Sequence, residues 1–231
     1  MTGSVLYIFE GYAIIKGTIL VFFTRGEGNM KELPLFKVGN YYGYNQELFT
    51  DRWMNIGGCG AVTACDVSIY LALNRGQARL YPYDARHLTA QDYITFSQIM
   101  KPYLRPREHG IDTLELWMDG YQAYLDSVGE KNLFMKGLYS DCPLAELEQA
   151  VKEEIDANLP VPYLNLRHRN PDLADYVWHW FWLAGYASFE NTFMVKLVTY
   201  GSFRWFPLDE LWDSGYSRKG GIILLNLKEE E

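Results

Sequence analysis

Cysteine is scarce in this chain, cations are outnumbered by anions, and no apolar run is long. The three cysteines, Cys59, Cys65 and Cys142, are odd in number and irregular in spacing. They make no disulfide framework, and no Cys/His cluster has zinc spacing. Free thiols point to a reducing compartment, so the expected location is cytoplasmic. Lys and Arg number 21 against 29 Asp and Glu, a net charge of −8. No basic stripe runs against that balance, which argues against nucleic acid as a partner, because phosphate binding needs clustered cations. The runs Val5–Phe9 and Ile14–Phe23 are cut by Glu10, Lys16 and Gly17. Neither reaches the ~20 residues that span a bilayer, and no basic leader or small-residue cleavage site accompanies them. Neither a membrane span nor a signal peptide is therefore expected. Repeats and low-complexity segments are also lacking.

Aromatic residues are abundant instead, at 16%, with 18 tyrosines and 7 tryptophans. Such rings fill a core well, and Tyr and Trp also line grooves that bind peptides or sugars. With 48% hydrophobic and 22% charged residues, 231 positions suffice to bury a proper core.

Along the chain, Val5 to Thr24 reads as a hairpin or loosely attached arm, and Arg25 to Asn29 as a glycine-rich loop. An aromatic stretch from Tyr41 to Tyr44 leads to Gly57-Gly58. Ala61 to Leu73 then lacks any breaker, and its small residues suit a tightly packed helix. Three further helices are predicted: Ala90 to Leu104 capped by Thr89, Thr113 to Val128 capped by Asp112, and one from Asp141-Cys142-Pro143 to Asn158. After Pro160 the pattern turns to strands at Val161–Leu166, Tyr176–Tyr186, Phe193–Thr199, Phe203–Phe206 and Ile222–Leu227, interrupted by a short helix at Leu208–Trp212. Helices followed by strands give an α+β class, with a helical lobe and then an antiparallel sheet lobe. The domain reading is an arm over residues 1–40 and one domain over 41–231.

The chemistry concentrates at Cys59. Gly57-Gly58 permits a tight approach, and the cysteine then opens a helix whose unpaired N–H groups stabilise a thiolate and can form half an oxyanion hole. Gly60 is read as leaving room for a substrate carbonyl. Cys65 lies mid-helix as an inert thiol, and Cys142 is a second candidate for a reactive one. A plain buried cysteine in a turn is the bland alternative. Of the four histidines, His87 and His109 lie beside loops, and His168 stands between Arg167 and Arg169. His179 sits in the apolar run Tyr176-Val-Trp-His-Trp-Phe-Trp-Leu-Ala-Gly, where a ring can hold a proton as one half of a thiolate–imidazolium pair. A core histidine bonded to a carbonyl is its alternative.

Gly57-Gly-Cys-Gly-Ala-Val-Thr-Ala-Cys65, followed much later by His179-Trp-Phe-Trp-Leu-Ala-Gly-Tyr186, resembles the papain-like cysteine peptidases of the bacteriocin-leader-peptidase type. Leu159-Pro-Val-Pro-Tyr-Leu164 before the histidine fits, and Val198-Thr-Tyr-Gly201 resembles the Ser-Trp-Gly segment of papain-like folds. The likeness spans about Tyr41 to Trp212. It implies a papain-like fold and catalysis by Cys59 and His179 without metal or cofactor. Two positions depart from the family. Its Asn or Asp orienting the histidine is absent, leaving Thr199 as a weaker hydrogen-bond acceptor. Its oxyanion-hole glutamine falls at Trp53, which leaves Gln46 across a longer loop, or Asn55; Gln46 is the choice here. The implied partner is a peptide or small amide, cleaved through a thioester, with Tyr41, Tyr42, Tyr44, Trp53, Trp178, Trp180 and Trp182 as groove or core. Acyl transfer, a catalytically impaired peptide-binding protein and a plain structural protein stay open as alternatives.

Overall fold

The computed structural model describes the backbone strands of residues 7–9, 12–15 and 18–21, and all of 29–108, 110–189 and 192–228. Readings that involve His109 and the 25–28 part of the glycine-rich loop lie outside the described residues. The chain is α+β, as its pattern suggests. Strands β1 (Tyr7–Phe9), β2 (Tyr12–Ile15) and β3 (Thr18–Val21) form an antiparallel meander.

Helix ends follow from capping chemistry. Asp51 accepts from the N–H groups of Trp53 and Met54, satisfying donors that α1 (Arg52–Gly57) leaves unpaired. Helix α2 (Cys59–Asn74) begins one residue later. A Cβ on the intervening Gly58 would stand 2.3 Å from the Met54 carbonyl oxygen, so glycine is what lets α1 run straight into α2. Thr89 caps α3 (Ala90–Met100) by accepting from Asp92 N–H. Helix α4 (Leu114–Ser127) is capped by Thr113 rather than by the expected Asp112, whose carboxylate instead accepts from Arg218 at 2.8 Å. Helices α5 (Leu144–Asp156) and α6 (Leu208–Trp212) lie close to their expected bounds. Among the described residues no helix is long and apolar enough to cross a membrane.

The main sheet is less cleanly second-half than the pattern suggests. Strand β4 (Asn29–Glu32) belongs to it, pairing with β9 (His179–Phe189) from Asn29↔Ser188 to Glu32↔Gly185. That part of the expected arm is therefore built into the sheet, and the next residue, Leu33, is buried and donates its N–H to Ala184 O at 2.7 Å. A small hairpin of β5 (Lys37–Val38) and β6 (Tyr41–Tyr42) follows. Strand β7 (Leu133–Tyr139), unread in the sequence, pairs antiparallel with β12 (Gly220–Leu227) at the sheet's far edge. Its run Leu-Phe-Met-Lys-Gly-Leu-Tyr alternates poorly because it is an edge strand, held by a partner some ninety residues away. The order is completed by β8 (Val161–Asn165), β10 (Thr192–Thr199) and β11 (Ser202–Pro207), as β11-β10-β9-β8-β12-β7.

Strand β9 is the spine, carrying β10 on one edge and β8 and β4 end to end on the other. It begins at His179 rather than at the expected Tyr176. Tyr176 closes a 3₁₀ turn, and Trp178 takes φ 52°, a left-handed step that breaks the extended run. On the β9 face lies α2, buried from Cys59 to Leu71. Small Ala61, Ala64, Cys65 and Ser68 let it pack closely, and its Asp66 accepts from Tyr93 Oη of α3 at 2.7 Å and from Trp182 Nε1 of β9 at 3.3 Å.

Burial raises the Asp66 carboxyl to about 7, offset only in part by these two donors. A folded pKa above the unfolded value means the folded state holds the proton longer. The Asp66 contribution to stability is therefore full below pH ~4 and is lost as pH rises through about 7. Relative to wild type, Asp66→Asn should gain on the order of 1 kcal/mol per pH unit across that window. Urea unfolding of both proteins at several pH values measures it. A difference that stays constant with pH would refute the assignment.

Candidate active site

Two neighbouring segments and a third, distant one meet at one cleft of about 910 Å³. Gln46, Cys59 and His179 all line it, joined by Trp178, Tyr200 and Arg218. Cys59 arrives on the first turn of α2, and His179 on the first residue of β9. Gln46 comes from a 3₁₀ turn capped by Asn45.

The backbone N–H groups of Trp180, Gly60 and Cys59 itself favour the charged form of the Cys59 sulfur. The β9–β10 ladder reaches only as far as Trp182↔Val198, so the start of β9 has a strand partner, β8, on one edge alone. Gly60, expected to leave room for a substrate carbonyl, does not do so. A Cβ there would meet Ile111 Cδ1 at 2.9 Å and Trp180 Cδ1 at 3.5 Å, so its bareness serves packing. The Gly60 carbonyl accepts from the Trp117 indole N–H at 3.0 Å, and Trp117 stacks on Trp180 at 5.5 Å.

His179 Nε2 lies 2.8 Å from Thr199 Oγ1, so the threonine occupies the orienting position. The sequence reading gave Tyr200 no role. Its ring stacks on the imidazole, with centroids 4.5 Å apart and planes 8° from parallel. The 3.4 Å contact from Tyr200 Oη to Nδ1 thus comes from beside the ring face, and it leaves the in-plane lone pair of Nδ1 unoccupied. Tyr200 and Gly201 have φ of 51° and 69°, the pair of left-handed residues that a tight β10–β11 turn requires. The only local signal for Tyr200 was an aromatic ring before glycine in Val198-Thr-Tyr-Gly201.

Gln46 and Asn55 differ in their bonding. The Asn55 side chain donates to the carbonyls of Glu47 and Phe49 and so braces the loop. Gln46 Nε2 donates one hydrogen to the Asn55 carbonyl at 3.2 Å and keeps a second, while its buried Oε1 has no partner among the described residues. Of the candidate groove aromatics, Trp178 lines the cleft and is half-exposed. Trp180, Trp182 and Tyr44 are core, and Trp53 lines a separate cavity. His87 pairs with exposed Asp84, and His168 is tied to Glu210 O and Asn170 N–H, so neither approaches the cleft residues.

Burial pushes the Cys59 thiol up, against the pull of the three N–H groups, and takes His179 down to about 3. Each group alone is held neutral, in place of the expected ion pair at rest. Cys65 is raised still further by burial and the neighbouring Asp66 charge. Cys142 is raised by burial and by Glu146 and Asp141, which disfavours its thiolate. No protein-family model matches the chain, and no curated protein matches it.

A neutral ring predicts that His179 keeps one proton from pH 8 down to about 4, since its pKa is about 3. Nitrogen-detected NMR of the imidazole should show a single Nε2–H tautomer, and Thr199→Val should mix the two. A midpoint above pH 6 in the wild type would overturn this.

Proposed function

We propose that the protein is a papain-like cysteine hydrolase that cleaves peptide amide bonds. The observation that carries this reading is the convergence on one cleft of Gln46 and Cys59, thirteen residues apart, with His179, 120 residues further along. Chance burial of a cysteine does not explain a histidine with a bonded Nε2, an open Nδ1 and an amide donor at the same cleft.

In the proposed reaction Cys59 Sγ attacks the substrate carbonyl carbon as its proton passes to Nδ1 of His179. Transfer from thiol to imidazole creates opposite charges together, so their attraction offsets the burial that disfavours either alone. Negative charge grows on the carbonyl oxygen, which the Cys59 N–H and the second hydrogen of Gln46 Nε2 receive. Imidazolium returns the proton to the departing amine, leaving a thioester. Water, deprotonated by His179, cleaves the thioester and restores the thiol. An amine in place of water would give acyl transfer by the same residues. Thr199 in place of a carboxylate or amide favours a second reading, a peptide-binding protein of low activity on the same fold.

The test is mass-spectrometric trapping with a peptide thioester, alongside turnover of a mixed peptide library. Acylation should map to Cys59 and vanish in Cys59→Ala. It should slow by ~10²–10⁴ in His179→Ala and by ~10²–10³ in Gln46→Ala. An unlabelled Cys59 beside a labelled Cys142 would sink the hydrolase and leave the binder.

A further inference from the structure

A second cavity, of about 530 Å³, adjoins the cleft and is lined by Trp53, Lys101, Arg105, Pro106 and Arg107. Arg107 lines both. The two are also joined through backbone: the position of a Cβ on Gly57 lies 3.5 Å from Pro106 Cβ and 3.8 Å from Arg107 O, and Gly57 itself lines the cleft two residues before Cys59. Lys101 is neutralised by Asp51. Arg105 and Arg107 are exposed and form no ion pair among the described residues, and the Trp53 ring beside them is 55% exposed. Glu108 is the adjacent acid, and it faces the cleft rather than this cavity. On a protein of net charge −8, two unpaired guanidinium groups around an exposed indole form a local reversal of sign.

We infer that this cavity is a subsite for an acidic side chain of the peptide, beside the residues that the cleft holds, an assignment that rests on the hydrolase or binder reading of that cleft. Guanidinium forks fit carboxylates in two parallel hydrogen bonds, and an indole face packs the apolar stem of Glu. Trp53 and Gly57 are four residues apart on α1, about 6 Å. An extended peptide advances about 3.3 Å per residue, which places the acid about two to three residues from the attacked carbonyl. The overall negative charge works against long polyanions and leaves short acidic segments as the fitting ligand.

Fluorescence anisotropy on the full chain carrying Cys59→Ala separates binding from chemistry. The probes are a short fluorescein-labelled Glu/Ala peptide, its Gln/Ala counterpart and a single-stranded DNA of similar length. The Glu/Ala peptide should bind about tenfold tighter than the Gln/Ala one and weaken as salt rises. The preference should disappear in Arg105→Ala/Arg107→Ala and persist in part in Arg105→Lys/Arg107→Lys. Equal binding of the two peptides, an unchanged preference in the double alanine variant, or tighter binding of DNA would overturn the subsite. Acylation of Cys59 in the otherwise native chain is scored separately. An inert Cys59 with an intact Glu preference removes the hydrolase and keeps the subsite, and a reactive Cys59 with no preference does the reverse.

Discussion

The seating of α2 on β9 is the constraint from which the rest follows. Cys59 and His179 lie 120 positions apart, and neither has local structure that would bring it to the other. Their place on one cleft depends on a helix buried along more than three turns, anchored at Gly60 O by the Trp117 indole and at Asp66 by the Trp182 indole. Trp180 donates its indole N–H to Ile111 O at 2.6 Å and closes the third side. Each anchor joins a tryptophan to a buried acceptor, so each is strong in a dry setting and costly to break. Glycines at 58 and 60 are the condition for this approach, because side chains there would collide with Met54 or Ile111.

The burial that fixes the geometry also sets the protonation states. Water excluded from the α2–β9 junction cannot solvate a thiolate or an imidazolium, and both groups move toward neutrality. Asp66, two turns along the same helix, responds to the same dryness in the same sense as Cys59, keeping its proton to about pH 7. A single packing interface thus governs three titrations.

What could be read in the sequence was whatever local chemistry determines. Gly-Gly before Cys59 marked the helix start, the Thr89 cap marked α3, and short apolar runs marked β8, β10 and β12. Thr199 was reachable only through the resemblance, as the residue at the place of the family's orienting Asn or Asp. The rest depended on distant partners. Strand β7 exists because β12 pairs with it, and Lys136 and Gly137 hide it from any pattern. Trp178 looked like strand because nothing in its identity signals φ 52°. Gly60 looked like a gap for substrate until Ile111, from a different loop, was seen to fill it. Arg105 and Arg107 were visible as residues, but not as unpaired groups sharing a cavity with Trp53.

Threonine at 199 is consistent with this electrostatic setting. A buried carboxylate there would raise the histidine pKa by its charge, but would itself need desolvation at a position shared with an aromatic ring. A hydroxyl has no charge to desolvate, and at 2.8 Å it can hold Nε2–H of a neutral ring. Orientation then has to come from shape, and Tyr200 supplies it by stacking within 8° of parallel. Holding a tyrosine at φ 51° costs about 1–2 kcal/mol, which the turn geometry and the ring contact together offset. The ring is therefore oriented by a hydroxyl and an aromatic plate, neither of which adds a charge that would hold it protonated.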